Sequence, residues 1–293
     1  MFRLILSIGV YFLLNLNVLA QRSEFGFMAG GSYYIGDLNP KAHFLQTQPA
    51  AGILYRYNFN PRFAFKSNFY LGMIYGDDAR SKFNIQRNLS FRSMVGEFSG
   101  EFEFNFLPYI AGNPKFPYSP YVFAGLSIIK FNPQANFHGA WYNLQPLGTE
   151  GQGTTAYSVP PYNRKPYSLT TAAIPFGIGA KLTIAKRTCL AIEYGLRKTY
   201  TDYLDDVSTT YPDPLLLKEE KGAVAAILSD RTISTDGDII DRTGFQRGNS
   251  KNNDWVAFAV ITLTVRLNSN AKELCPAYGA KKPKYSFKEY NMH

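Results

Sequence analysis

Residues 97–106 read E-F-S-G-E-F-E-F-N-F. Phe98, Phe102, Phe104 and Phe106 fall on one face of an extended chain, and Glu97, Ser99, Glu101, Glu103 and Asn105 on the other. Two environments satisfy such a strand. In a soluble sheet the phenylalanines form the core. In a membrane barrel they meet lipid, and the carboxylates turn into a polar lumen. Alternation alone does not choose between the two; the rest of the chain does.

Seven further strand-length segments surround this one: 25–36, 49–58, 63–76, 121–131, 172–184, 188–200 and 254–267. In 63–76, Phe63, Phe65, Phe69, Leu71, Met73 and Tyr75 oppose Ala64, Lys66, Asn68 and Gly72. In 121–131, Phe123, Ile129 and Phe131 oppose Lys130. In 172–184, Ile174, Phe176, Ile178, Leu182 and Ile184 oppose Gly177, Gly179, Lys181 and Thr183; in 188–200, Leu190, Ile192, Tyr194 and Leu196 oppose Glu193, Arg197 and Thr199. The connections alternate long and short along the chain, the short ones at 58–62, 108–117 and 185–187. The 201–253 connection includes 213–229 (DPLLLKEEKGAVAAILS), which suits short helices. A soluble sandwich has no reason to sort its loops in this way. The expected fold is all-β: an eight-stranded antiparallel transmembrane β-barrel with long extracellular loops and short periplasmic turns.

The chain opens with Met1-Phe2-Arg3, an apolar run over 4–19 and Val18-Leu19-Ala20 before Gln21, the pattern of a secretory leader. The expected organisation is a signal peptide at 1–20, the barrel at 21–267 and a periplasmic tail at 268–293. After the leader no apolar run approaches about 18 residues, so helical spans are not expected. The 23 Phe and 21 Tyr suit alternating membrane strands instead. Lys and Arg number 31 against 22 Asp and Glu, a net charge of +9. Basic chains invite a nucleic-acid reading, but an exported chain meets little nucleic acid. Lipopolysaccharide phosphates and acidic partners are the expected counter-charges. The two cysteines, Cys189 and Cys275, make no disulfide framework, and whether they pair is left open.

Three stretches, GGSYYIGDLNP (30–40), EYGLRKTYTDYLDDVSTTY (193–211) and RGNSKNNDW (247–255), together resemble the PorG-like outer-membrane barrels associated with the type IX secretion machinery. The resemblance spans about residues 24–275. It implies a small barrel beside a periplasmic ring of lipoprotein and partner subunits, anchoring or completing a protein-export apparatus. With the loop sorting, the expectation is a non-enzymatic barrel of a Gram-negative outer membrane with both termini periplasmic. The alternative of a different class is a surface adhesin or receptor-like barrel acting through its outer loops.

Asp202, Asp205 and Asp206 form the densest acidic cluster. Their density suits Ca²⁺, although the spacing is not that of an EF-hand; the expected role is pairing with Arg231, Arg242 and Arg247 of the same loop. His43, His138 and His293 are too dispersed for a zinc site, and the His43/Ser32 combination has no spacing that supports hydrolysis. No Gly-rich phosphate loop or paired Cys motif is present, and no cofactor is expected. Lys66, Glu97, Glu101, Glu103, Lys181, Glu193, Arg197 and Arg266 are expected to face inward, where they pair and plug the lumen. In the tail, Lys281, Lys282, Lys284, Tyr285 and Phe287 combine long-range charge with contact area, as a docking segment for a periplasmic partner would.

Overall fold

A computed structural model describes residues 23–156, 164–232 and 241–267. The segments expected to be leader and tail, including Cys275 and the expected docking residues, lie outside the described residues. Strands β1 (Ser23–Ile35), β2 (Gln48–Asn58), β3 (Phe63–Asp77), β4 (Ser90–Asn105) and β5 (Tyr118–Phe137) are followed by a short strand β6 (Ala140–Asn143). Strands β7 (Thr170–Thr183), β8 (Thr188–Thr199) and β9 (Trp255–Arg266) complete the wall. The order is β4-β3-β2-β1-β9-β8-β7-β5-β6, and a β4–β5 pairing joins the ends. Because β6 only extends β5 as a hairpin, eight antiparallel strands close the barrel. Full closure leaves no long unpaired edge in a medium without water to satisfy it.

Inward and outward residues alternate as the sequence implies. Phe27, Phe98, Phe102, Leu126, Ile178 and Ile192 stand on the outside, each more than half exposed. The charges are inside: Glu24, Arg56, Lys66, Glu97, Glu101, Glu103, Lys181 and Arg197 are almost fully buried, and Glu193 nearly so. An apolar exterior around a charged interior is stable against hydrocarbon, and the fold is that of a membrane-spanning barrel. All the short connections lie at one end, where β1 begins and β9 finishes, with Leu267 N donating to Ser23 O at 2.9 Å. The long loops gather at the other end.

Two segments depart from the expected bounds. β4 starts at Ser90 rather than residue 97, and β5 runs on to Phe137, past residue 131. Towards the loop ends of both strands the polarity reverses. Phe91, Val95, Ile129, Phe131 and Ala135 point inward and are buried, while Arg92, Lys130, Asn132, Gln134 and Asn136 point outward. The period of two persists, but towards the loop end the lumen is filled by a hydrophobic core rather than by charge. That core unites Tyr34, Phe91, Phe131, Val256 and Phe258 with Leu204, Val207 and Leu228 of the last loop.

The charge network occupies the rest of the lumen. Arg56 bridges Glu24 (3.0 Å) and Glu103 (3.1 Å), and Lys181 also binds Glu103. Lys66 lies 3.1 Å from Glu101 and pairs with Glu193; Arg197 lies 3.0 Å from Glu97. Tyr121 donates to Glu193 at 2.8 Å and Thr264 to Glu24 at 2.8 Å. Phe123 lies under the Lys66 ammonium, 4.3 Å from its ring centre, and Phe258 under the Arg197 guanidinium at 4.6 Å. The eight expected inward charges all face the lumen; Arg266 does so at its mouth, donating to Ala111 O at 2.9 Å. Glu24 and Arg56 join them. Cys189 is buried on the same inner face against the Tyr109 hydroxyl.

Candidate functional site

The long loops fold together into a cap over the lumen. Loop 36–47 joins β1 to β2. Loop 78–89 includes α1 (Asp78–Ser81); loop 144–169 includes α2 (Leu144–Leu147); loop 200–254 includes α3 (Pro214–Lys221) and α4 (Ala223–Ser229). The last two helices fall within the segment expected to be helical. Asp213 caps α3 by accepting from Leu215 N and Leu216 N, with Pro214 at the first helical position.

Buried ion pairs and shared hydrogen bonds hold the loops to one another. Glu150 is fully buried, and its carboxylate accepts from Ser208 N at 2.8 Å, Thr209 N at 3.0 Å and Arg247 Nη1 at 3.1 Å. Arg247 also donates to Ser229 O at 3.0 Å and Asp206 O at 2.5 Å, and its Nη2 lies 3.7 Å from Asp206 Oδ2. Arg87 grips Asp78 with two bonds, of 2.7 and 2.8 Å, and reaches the carbonyls of Arg247 (2.7 Å) and Asp37 (2.9 Å). Arg164 ties Glu150 O to Thr209 and Thr210.

Of the arginines expected to pair with the Asp202–Asp206 cluster, Arg247 alone reaches it. Arg231 follows α4 away from the cluster and donates to Ser90 Oγ at 3.2 Å; Arg242 lies 3.9 Å from Asp230. The three aspartates also separate in role. Asp206, in the left-handed region at φ 68°, accepts from Tyr167 at 2.7 Å and from Thr149. Asp205 accepts from the Tyr34 hydroxyl at 2.5 Å and from Val207 N at 2.9 Å. Asp202 is buried, and neither of its carboxylate oxygens has a hydrogen bond of ordinary geometry among the described residues.

Asp254, Glu150 and Tyr34 complete the site without a local signal in the sequence, because their partners lie far along the chain. Tyr34 OH lies 3.0 Å from Asp254 Oδ1, whose other oxygen accepts from Leu204 N at 2.9 Å. Gly36 is required here: an added Cβ would lie 2.0 Å from Asp254 Oδ1. The stretches 30–40, 193–211 and 247–255, far apart in sequence, therefore meet at one place.

Burial dominates the electrostatics. It pushes the Asp202 carboxyl up to about 8, with Ser208 opposing and Asp37 and Glu150 adding to the rise. It pushes Asp206 up to about 6 against the opposing charge of Arg247. Asp205 and Asp254 are both held well above the usual carboxylate range, by burial first and then by the carboxylates of Asp37 and Asp205 respectively. Among the described residues no group of three or more His, Cys, Asp or Glu side chains is arranged to hold a metal ion. Asp205 spends its oxygens on the Tyr34 hydroxyl and Val207 N, and Asp206 on Tyr167 and Thr149. His43 meets the outward-facing Tyr33 hydroxyl at 3.1 Å, whereas Ser32 points inward to Met73 O at 2.7 Å, so the two lie on opposite faces of the wall. Buried ion pairs and hydrogen bonds lock the loops of the cap together.

Residues 3–142 match the family described as Domain of unknown function (DUF6089). No curated protein matches the chain. Among solved structures, the N-terminal β-barrel domain of Pseudomonas aeruginosa OprF is similar at 10% identity and a TM-score of 0.34, over 83% of this chain and 98% of that one. Neisserial surface protein A is similar at 10% identity and a TM-score of 0.40, over 83% and 96%. Ail, the attachment invasion locus protein of Yersinia pestis, in complex with the heparin analogue sucrose octasulfate, is similar at 8% identity and a TM-score of 0.36, over 83% and 95%.

Proposed function

We propose that this chain is a non-enzymatic outer-membrane barrel that anchors a protein-secretion machinery of the type IX kind, docking periplasmic lipoprotein and ring subunits through its turn end. The observation that carries the reading is the charge of that end. Connections 59–62, 106–117 and 184–187 hold Arg62, Lys115, Lys186 and Arg187 and not one Asp or Glu. A uniformly cationic plate attracts an acidic partner at long range and rejects basic ones. The plugged lumen and the locked cap favour anchoring over transport. In this orientation the turns and both ends of the barrel are periplasmic and the long loops are outside.

The test is affinity purification from detergent-solubilised outer membranes, comparing the natural chain with Lys115→Glu/Lys186→Glu and with a deletion of 281–293. Loss of co-purifying periplasmic subunits and of protein export, at unchanged barrel level, supports the reading. Full retention of both in all variants overturns it. The adhesin alternative draws on the exposed Phe83, Leu215 and Phe245 of the cap; it predicts that partners attach to intact cells and that charge reversal in the turns changes nothing.

A further inference from the structure

The outer wall carries few charges, and their placement is one-sided. Asp77, the last residue of β3, caps α1 through Ala79 N and Arg80 N. The other outward charges on the strands are Arg92, Lys130 and Lys198, all cations and all on the loop-end halves of their strands. Both tryptophans of the chain accompany them. The Arg92 guanidinium lies 3.5 Å from the Trp141 ring centre, and Lys198 Nζ 5.9 Å from that of Trp255. Tryptophan beside outward cations marks the level where hydrocarbon gives way to headgroups.

On β4, β5 and β6 this level is built up further. Arg92 pairs in register with Gln134, and Gln134 with Asn143, so the three form one lateral row. Asn132 and Lys130 follow below on the same face. Gln134 takes the Arg92 Nε–H at 3.3 Å, and its amide and that of Asn132 both donate to Asn143 Oδ1, at 2.8 and 3.1 Å. Asn132 Oδ1 has no hydrogen-bond partner among the described residues. Lys130 is exposed. Opposite Lys130 stands Gly96, where an added Cβ would meet only Leu71, at 3.6 Å. The wall is thus open directly beneath the polar row, and below it come the exposed Phe98, Leu126 and Ile128.

We propose that this patch is a binding site for a phosphorylated glycolipid of the loop-side leaflet. Arg92 and Lys130 take the phosphate, the amides of Asn132, Gln134 and Asn143 the sugar hydroxyls, and Trp141 flanks the sugar ring. An acyl chain runs down over Gly96 and the apolar wall. Charge and shape argue together: a zwitterionic phospholipid would leave two cations without a net counter-charge, and a soluble anion would leave the open strip below unused. The inference rests on the outer-membrane reading.

The experiment uses the full mature chain in detergent, with binding read by native mass spectrometry. The probes are bisphosphorylated lipid A, enzymatically dephosphorylated lipid A, phosphatidylethanolamine and inorganic phosphate. Lys130→Gln, an exposed change without packing consequences, and Arg92→Gln are each expected to weaken lipid A binding about fivefold, leaving phosphatidylethanolamine adducts unchanged, together with the difference in SDS-gel migration between unboiled and boiled samples that marks a closed barrel. Lys186→Gln at the opposite end should change nothing. Equal binding of dephosphorylated lipid A, full displacement by inorganic phosphate, or unweakened binding by both variants overturns the site. Recovery of the protein in the soluble periplasmic fraction overturns the outer-membrane reading and this site together.

Discussion

The Tyr34 hydroxyl, on the first strand, donates to Asp205 Oδ2 at 2.5 Å, across 171 residues of sequence. Both groups are fully buried beneath the cap. The bond therefore fixes the longest loop to the barrel wall rather than to other loops. A buried carboxylate deprived of such a donor bears its desolvation cost uncompensated. Tyr34→Phe should loosen loop 200–254 by about 1–3 kcal/mol and leave the strands intact. Hydrogen exchange in 200–254 should accelerate while exchange in β1–β4 stays slow. Unchanged protection of the loop would show that the cap does not depend on this bond.

The cap should also weaken as pH rises. Asp202 and Asp206 have folded values of about 8 and about 6, above the ordinary 3.8. A carboxyl with a raised folded value binds its proton more tightly in the folded state. Its contribution is then fully present below about pH 4 and is lost as pH climbs through the folded value. Loop protection should fall between about pH 4 and pH 8, as Asp206 ionises first and Asp202 later, by on the order of a few kcal/mol after solvent screening at Asp202. Asp202→Asn should abolish the upper part of this fall and protect the loop at pH 9. A cap that tightens with pH would contradict the assigned burial.

How far the sequence discloses this molecule varies along the chain. Phe98, Phe102 and Phe104 against Glu97, Glu101 and Glu103 locate their strand because the two faces differ as much as side chains can. The same strand is illegible over 90–96. There Phe91 and Val95 turn inward against a hydrophobic core, while Arg92 turns out above the hydrocarbon, so a rule of apolar outside misreads the segment. Asp202, Asp205 and Asp206 announce a buried polar site by density. The partners of Asp205 and Asp206 include Tyr34, Thr149 and Tyr167, which come from the first strand and another loop, and only closure of the barrel brings them near.

The inversion of the faces makes a direct energetic test. Phe102 is 65% exposed on the outer wall, whereas Glu101 is wholly buried in the lumen. Phe102→Arg should cost about 2–4 kcal/mol near the midplane of a bilayer, read as a lower urea midpoint in refolding into lipid vesicles. Glu101→Gln should cost less, because Lys66 retains Glu193 as a partner. A neutral Phe102→Arg beside a Glu101→Gln that prevents folding would mean that the two faces are reversed.

The filled lumen predicts an electrically silent barrel. Arg56, Glu103 and Lys181 form a crossing bridge in one half of the lumen, and Arg197 and Glu97 another nearer the cap. Tyr70, Tyr121 and Phe258 close the space between them, all with less than 2% of their surface exposed. An ion entering from either end would have to break a buried pair, and removal of one partner alone costs roughly 3–5 kcal/mol. The purified chain in planar bilayers should show no stepwise conductance at moderate voltage. Arg197→Ala alone should stay silent, since the Arg56 bridge remains; Arg56→Ala/Arg197→Ala should give noisy, cation-favouring leak, because the carboxylates of Glu97 and Glu24 then lose their ion-pair partners. Steady, well-defined channels from the natural chain would show an open path through the lumen and would return transport to the roles this barrel can perform.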